Sequence, residues 1–179
     1  MIYISVMKKL FLSIALIALC VGAMAQQSYS FRKGYRGDVA LGGAVGITKG
    51  VRNDAFSLST THGYSFGDGL FVGAGAGLNV LTSAEVTIPV YFVGKYTFMD
   101  NRISPFMDCR VGWEALVYNR DHGVAFVVSP AVGVDLGRFS LRAGYLCEAG
   151  RYVQRGSLGQ DVVSAMKLHS VTITAAVAF

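Results

Sequence analysis

The stretch LFVGAGAGLNV, Leu70 to Val80, decides the fold. Its glycines, Gly73, Gly75 and Gly77, recur at every second position. Glycine at this density suits either a phosphate-cradling loop or one face of a β-strand. A dinucleotide loop needs G-x-G-x-x-G opening onto a helix, with an acidic residue about 20 positions further on. Here Leu78 stands where the third glycine belongs, and the following TSAEVTIPVYFVGKYTF alternates as a strand does. In the strand reading Leu70, Val72, Ala74, Ala76, Leu78 and Val80 share one face. Phe71, Gly73, Gly75, Gly77 and Asn79 share the other. One face is apolar and the other is nearly bare of side chains.

The same alternation runs along the chain. Turn residues divide it into eight segments, 35–48, 54–66, 69–81, 86–98, 103–116, 122–137, 138–150 and 163–179. The breakers are TKGVRND, GDG, LTSAE, MDNR, YNRDH, GR and the longest, RYVQRGSLGQDV. Segments of this length exceed ordinary soluble strands and suit tilted membrane strands. In the sixth, Val124, Phe126, Val128, Pro130, Val132, Val134 and Leu136 oppose Gly123, Ala125, Val127, Ser129, Ala131, Gly133 and Asp135.

Two closed architectures fit. A soluble lipocalin-like barrel points its bulky apolar face inward, and a membrane barrel inverts that. A water-facing surface would carry Lys, Glu and Thr rather than rows of Gly and Ala. The inside of a narrow eight-stranded barrel needs small residues to leave room for a few large polar ones. The glycine face therefore points into the lumen, and the apolar face of Leu70 to Val80 points to lipid. Tyr35, Tyr64, Phe66, Tyr96, Phe98, Phe139 and Phe179 fall at segment ends on one rim, with Phe56, Trp113 and Phe126 on the other. Such aromatics could be core residues, but their placement on the apolar face reads as interfacial girdles.

The N-terminus reads as an export signal. Lys8 and Lys9 precede the apolar run Leu10 to Val21, and Ala23-Met24-Ala25 forms a cleavage site after Ala25. The run is too short to span a bilayer. MKKLFLSIALIALC is a better start than Met1, which leaves Met1 to Val6 as an upstream extension. Cys20 raises a lipoprotein alternative, weakened by the bulky Leu19 before it. The division is thus 1–25 signal peptide and 26–179 one barrel domain. Removing Lys8 and Lys9 lowers the net charge from +5 to +3, too little to argue for nucleic acid. Cys109 and Cys147 fall on non-adjacent segments, so a disulfide is not expected, and no Cys/His spacing suggests a metal or other cofactor.

The last residues, VTITAAVAF, alternate Val171, Ile173, Ala175, Val177 and Phe179. This resembles the C-terminal signature of bacterial outer-membrane barrels, which end on an aromatic. The whole region 35–179 resembles the small OmpA/OmpX-like barrels. GYRGDVALGGAVG and SPFMDCRVGW look most like the outer-membrane β-barrel domain proteins of Bacteroidetes-type bacteria. The resemblance implies an all-β, eight-stranded antiparallel up-and-down transmembrane barrel preceded by a cleaved signal peptide. It implies the bacterial outer membrane, both mature termini in the periplasm, and Phe179 as the assembly signal. The partners it implies are outer-membrane lipid, lipopolysaccharide and the insertion machinery. A monomer is expected.

Parity sends Asp38, Lys95, Asp108, Arg110, Glu114, Asp135, Arg142 and Glu148 into the lumen. These charges would pair and fill a narrow barrel, because an unpaired buried charge is expensive. The competing reading is a narrow ion path lined by the same groups, or a route for a small hydrophobic ligand. A lipid-modifying enzyme is a third. Its candidate histidines are His62, His122 and His169, but His169 and Ser170 are adjacent on a strand and point to opposite faces. The expectation is a non-catalytic barrel. The rim charges Lys49, Arg52, Arg120, Arg151, Arg155 and Lys167 against Asp54, Glu85, Asp121 and Asp161 would suit lipid phosphates or simply be solvated. Two features fit poorly. His62 and Thr60 fall on the lipid face, where a bulge would re-aim them. Pro130 sits within a strand, which implies a lost ladder bond or a bulge.

Overall fold

Period-two alternation of apolar and small or polar residues builds eight strands. The computed structural model describes residues 31–48, 53–82, 85–117, 122–155 and 161–179. The segment expected as an export signal, with its expected cleavage site after Ala25, lies outside the described residues. The strands are β1 (Gly34–Gly46), β2 (Ala55–Ser65), β3 (Leu70–Leu81), β4 (Val86–Thr97), β5 (Ile103–Leu116), β6 (His122–Leu136), β7 (Phe139–Arg155) and β8 (Asp161–Ala178). Each pairs antiparallel with the next, and β8 returns to β1 to close the barrel. The expected segments therefore stand, with one substantial change at β7 and β8. The stretch 151–162, expected as a long connection, is mostly strand. Arg151 pairs with Ala165 and Arg155 with Asp161, so only 156–160 separates β7 from β8. Arg151, Arg155 and Asp161 accordingly sit on strands rather than in a loop. Charged residues masked the extension of the alternation into this region.

One rim carries tight links. Gly137 and Arg138 alone join β6 to β7, and Gly137 adopts φ +70°, a region that glycine enters without steric penalty. The short link after β2 holds Gly67 and Gly69 at φ +89° and +91°. The chain end closes the seam on the same rim. Phe179 N–H donates to Gly37 O at 2.9 Å, and Gly37 N–H donates to Phe179 O at 3.1 Å. The Phe179 ring lies directly over Gly37, where an added Cβ would fall 2.7 Å from it, and meets His62 edge-on at 5.9 Å.

The bulge suggested at β2 is absent, and at Pro130 the lost ladder bond, not a bulge, is what occurs. β2 keeps one register against β1 and against β3 along its whole length. His62 and Thr60 therefore remain on the outer face, and local hydrogen bonds satisfy them instead. His62 Nδ1 bonds Tyr35 Oη at 2.5 Å, its Nε2 bonds Thr60 Oγ1 at 3.0 Å, and Thr60 Oγ1 donates to Asp38 O at 3.0 Å. Pro130 removes pairing without shifting it. β6 and β7 pair at Val128–Cys147 and again at Ala131–Gly144, with Ser129 and Pro130 unpaired between them in an unchanged register. Pro89 does the same between β3 and β4. A proline lacks the N–H that the ladder needs.

The faces are inverted relative to a water-soluble protein. Phe92, Val132, Ile173 and Leu41 are each 60–67% exposed on the outer surface. Asp135 is 1% exposed, and Arg142, Asp108, Glu114 and Glu148 are 7–8% exposed inside. Every aromatic assigned to the two girdles is exposed on the outside. Tyr64 packs edge-on with Phe66, Tyr96 with Phe98, and Trp113 with Phe126. The glycine row of β3 does what its sequence suggests. A Cβ at Gly75 would lie 2.6 Å from the Tyr91 ring, and one at Gly73 would lie 2.9 Å from the Phe71 ring. These bare positions let two large rings fold across a narrow interior.

Candidate functional site

The lumen has two levels that differ in chemistry. Near the rim of tight links, Lys95 Nζ sits 2.8 Å from both oxygens of Asp135 and 3.8 Å above the Phe106 ring. Arg36 Nη2 approaches Asp135 at 4.0 Å. In the middle, Arg142 Nε and Nη2 both reach Asp108 Oδ1 at 2.9 Å. Arg142 Nη2 also donates to the Ser129 carbonyl at 3.2 Å. Ser129 pairs with Arg110 of β5, so the guanidinium ties the β7 side chain to backbone on the β5–β6 side of the Pro130 step. Arg110 stacks over Tyr91, with Cζ 4.9 Å from the ring centre. Tyr91 Oη in turn hydrogen-bonds Thr61 Oγ1 at 3.1 Å.

Toward the other rim the acids meet neutral donors. Glu114 Oε1 accepts from Thr87 Oγ1 and, at 2.9 Å, from Asn79 Nδ2. Glu148 interacts with the Asn53 side chain and lies within electrostatic reach of Glu114. Asn53, only 6% exposed, also donates from Nδ2 to Ser170 Oγ at 3.2 Å.

All eight charged positions assigned by parity thus line the interior, but they do not form one network. Asp135–Lys95 and Asp108–Arg142 are ion pairs. Asp38 and Arg110 make no ion pair with each other. Asp38 Oδ1 and Arg110 Nε have no hydrogen-bond partner among the described residues. Both residues border a cavity of about 30 Å³, together with Lys95, Asp108 and Arg142. Sequence reading passed over Arg36, which shares the inward parity of Asp38. Asn79, Thr87 and Tyr91 have the inward parity but were given no role in the lumen, and Asn53 was passed over, because only charged residues were counted as its chemistry.

Neither His62 nor His169 assembles a catalytic group with Ser170. Ser170 is 1% exposed and faces inward, while His169 faces outward and bonds Tyr145 Oη through Nδ1 at 2.7 Å. His62 also faces outward, and the His122 side chain lies outside the described residues. Cys109 and Cys147 are free thiols. Among the described residues, no group of three or more His, Cys, Asp or Glu could hold a metal.

No protein-family model matches the sequence, and no curated protein matches it. Solved structures do. The N-terminal β-barrel domain of Pseudomonas aeruginosa OprF superposes with a TM-score of 0.50 at 10% identity, covering 83% of this chain and all of that domain. The fold is that of the small outer-membrane barrels. Neisserial surface protein A gives a TM-score of 0.49 at 14% identity, over 82% of this chain and 97% of its own. At such identities the likeness concerns architecture alone.

Proposed function

We propose that the protein is a non-catalytic integral barrel of the bacterial outer membrane, with a structural or surface-binding role and a lumen filled by its own side chains. The inverted surface carries this reading. A belt of exposed Val, Leu, Ile and Phe bounded by aromatics surrounds an interior of paired charges, which is stable in lipid and would aggregate in water. The ion pairs Lys95–Asp135 and Arg142–Asp108 and the rings of Tyr91, Phe71 and Phe106 fill the bore. Both mature termini lie on the periplasmic side in this reading, and Phe179 acts as the assembly signal. Lipid and lipopolysaccharide are its surroundings, the insertion machinery is its transient partner, and it works as a monomer.

Purified protein in a planar bilayer tests the filled lumen, with no steady conductance expected. A tag inserted at 156–160 tests orientation: it should be labelled on intact cells. Labelling only after lysis would overturn the orientation.

A second reading, a narrow path for ions or water, is favoured by one observation. The cavity of about 30 Å³ has room for about two waters beside the unpartnered Asp38 Oδ1 and Arg110 Nε. Discrete single-channel steps that change size in Arg110→Ala would establish that reading. For the enzymatic alternative, mass spectrometry of lipid A with and without the protein is the direct comparison, and no difference is expected.

A further inference from the structure

Two Tyr–His pairs lie on the outer wall. They are built alike and finished differently. In each, the partners are diagonal neighbours on adjacent strands, with near-parallel rings (26° and 24°) and a phenol bonded to Nδ1. In the first, His62 is complete, because Thr60 Oγ1 takes Nε2. In the second, His169 Nε2 has no partner among the described residues. An imidazole edge left open in the lipid-facing wall is costly unless something outside the protein meets it.

The surroundings of His169 indicate what that is. Lys167 lies two residues away on the same outer face of β8 and is exposed. The strand rise places the two side chains about 7 Å apart. Lys167 ends a row of paired positions, Trp113–Phe126–Ala149–Lys167, that crosses β5 to β8. Lys167 lies twelve residues before Phe179 of the opposite girdle, about 40 Å along a tilted strand and about 30 Å along the barrel axis, the thickness of a hydrocarbon core, so it is at headgroup depth, where a lysine reaches toward the polar layer. The outward register neighbours of the pair on β7 are Ala149, Cys147 and Tyr145, none of them acidic. The backbone of His169 is pinned, with its N–H donating to Thr48 Oγ1 at 2.8 Å and its carbonyl accepting from Ile47 N at 2.8 Å.

We infer that Lys167, His169 and Tyr145 form a site on the outer wall for the phosphate of a membrane lipid headgroup. Tyr145 Oη donates to Nδ1, which fixes the ring proton on Nε2. Nε2–H then points at the lipid and donates to a phosphate oxygen, while the Lys167 ammonium supplies the charge. This rests on the membrane reading above and adds the lipid group recognised and its place on the wall.

The test is native mass spectrometry of the full mature chain from neutral detergent, with phosphatidic acid as probe and diacylglycerol of the same chains as control. Retained phosphatidic acid should fall at least fivefold in a Lys167→Ala/His169→Ala double variant, and His62→Ala should stay within twofold of wild type. Diacylglycerol should not respond. Lys167→Glu, a change at an exposed side chain, covers the case in which the double variant fails to fold, and should lower retention similarly. The His169 Nε2 nitrogen resonance should shift with phosphatidic acid and not with the same concentration of inorganic phosphate. Equal retention in wild type and Lys167→Glu, or an equal loss in His62→Ala, would overturn the site. Flotation with vesicles separates the two failures. Protein that does not float refutes the membrane reading itself, whereas floating protein without phosphate preference refutes only this site.

Discussion

The two levels of the lumen hold their carboxylates differently. At the level of the tight links and the middle, Asp135 and Asp108 face Lys95 and Arg142 directly. At the far level, Glu114 and Glu148 are held by Asn79, Thr87 and Asn53, with no cation in an ion pair with either among the described residues. Both solutions satisfy buried acids. The ion pairs are strong only while both partners remain, since removing one leaves a desolvated charge. The amide and hydroxyl donors share the load, so each is individually less critical. Position in the barrel predicts how the interior fails.

The largest effect is expected at the ion pair. Arg142→Ala orphans Asp108 and also frees the Ser129 carbonyl, and should lower stability by about 3–5 kcal/mol in urea unfolding from lipid vesicles. Arg110→Ala, which breaks a ring contact but no ion pair, should cost distinctly less in the same assay. If the two losses are equal, the distinction between paired and unpaired arginines is wrong. Asn79→Ala removes one of two donors to Glu114 and should cost about 1.5–3 kcal/mol. Glu114→Gln keeps an acceptor for both donors and removes a charge near Glu148. Its change should be within about 1 kcal/mol of either sign. A loss there as large as that of Arg142→Ala would show that the far level depends on charge after all. Arg102→Ala, at an exposed turn position, should leave the unfolding midpoint unmoved and serves as the baseline.

Strand number, order and inside-out polarity were legible because a closed barrel converts period two into inside and outside without exception. Every charge assigned inward by parity lines the bore. Less of the site could be read. Parity places Arg110 on β5 and Arg142 on β7 both facing inward, but it cannot say which one reaches Asp108. That depends on the register of β5, β6 and β7 and on the Tyr91 ring that occupies Arg110. The bulge expected at His62 failed for a related reason. A polar residue on the lipid face was treated as alone, whereas diagonal pairing across β1 and β2 brings Tyr35 to it. The extension of β7 and β8 escaped notice because Arg151, Arg155 and Asp161 read as loop chemistry when their cross-strand partners are unknown.

Seven of the eight strand pairings join consecutive strands and are closed by short connections. The eighth joins Asp38 to Ala178 and Gly46 to Ser170, residues about 130 positions apart. The entropy lost on bringing chain ends together rises with the length between them, so local hairpins form early and distant pairing comes late. The seam is therefore expected to be the slow step of folding. Substitutions at Gly37, whose missing Cβ would meet the Phe179 ring across the seam at 2.7 Å but His62 of β2 only at 3.3 Å, should slow refolding out of proportion to their effect on the hairpins. The time the protein spends as an open sheet, with two bare edges available to any other strand, is set by this one junction.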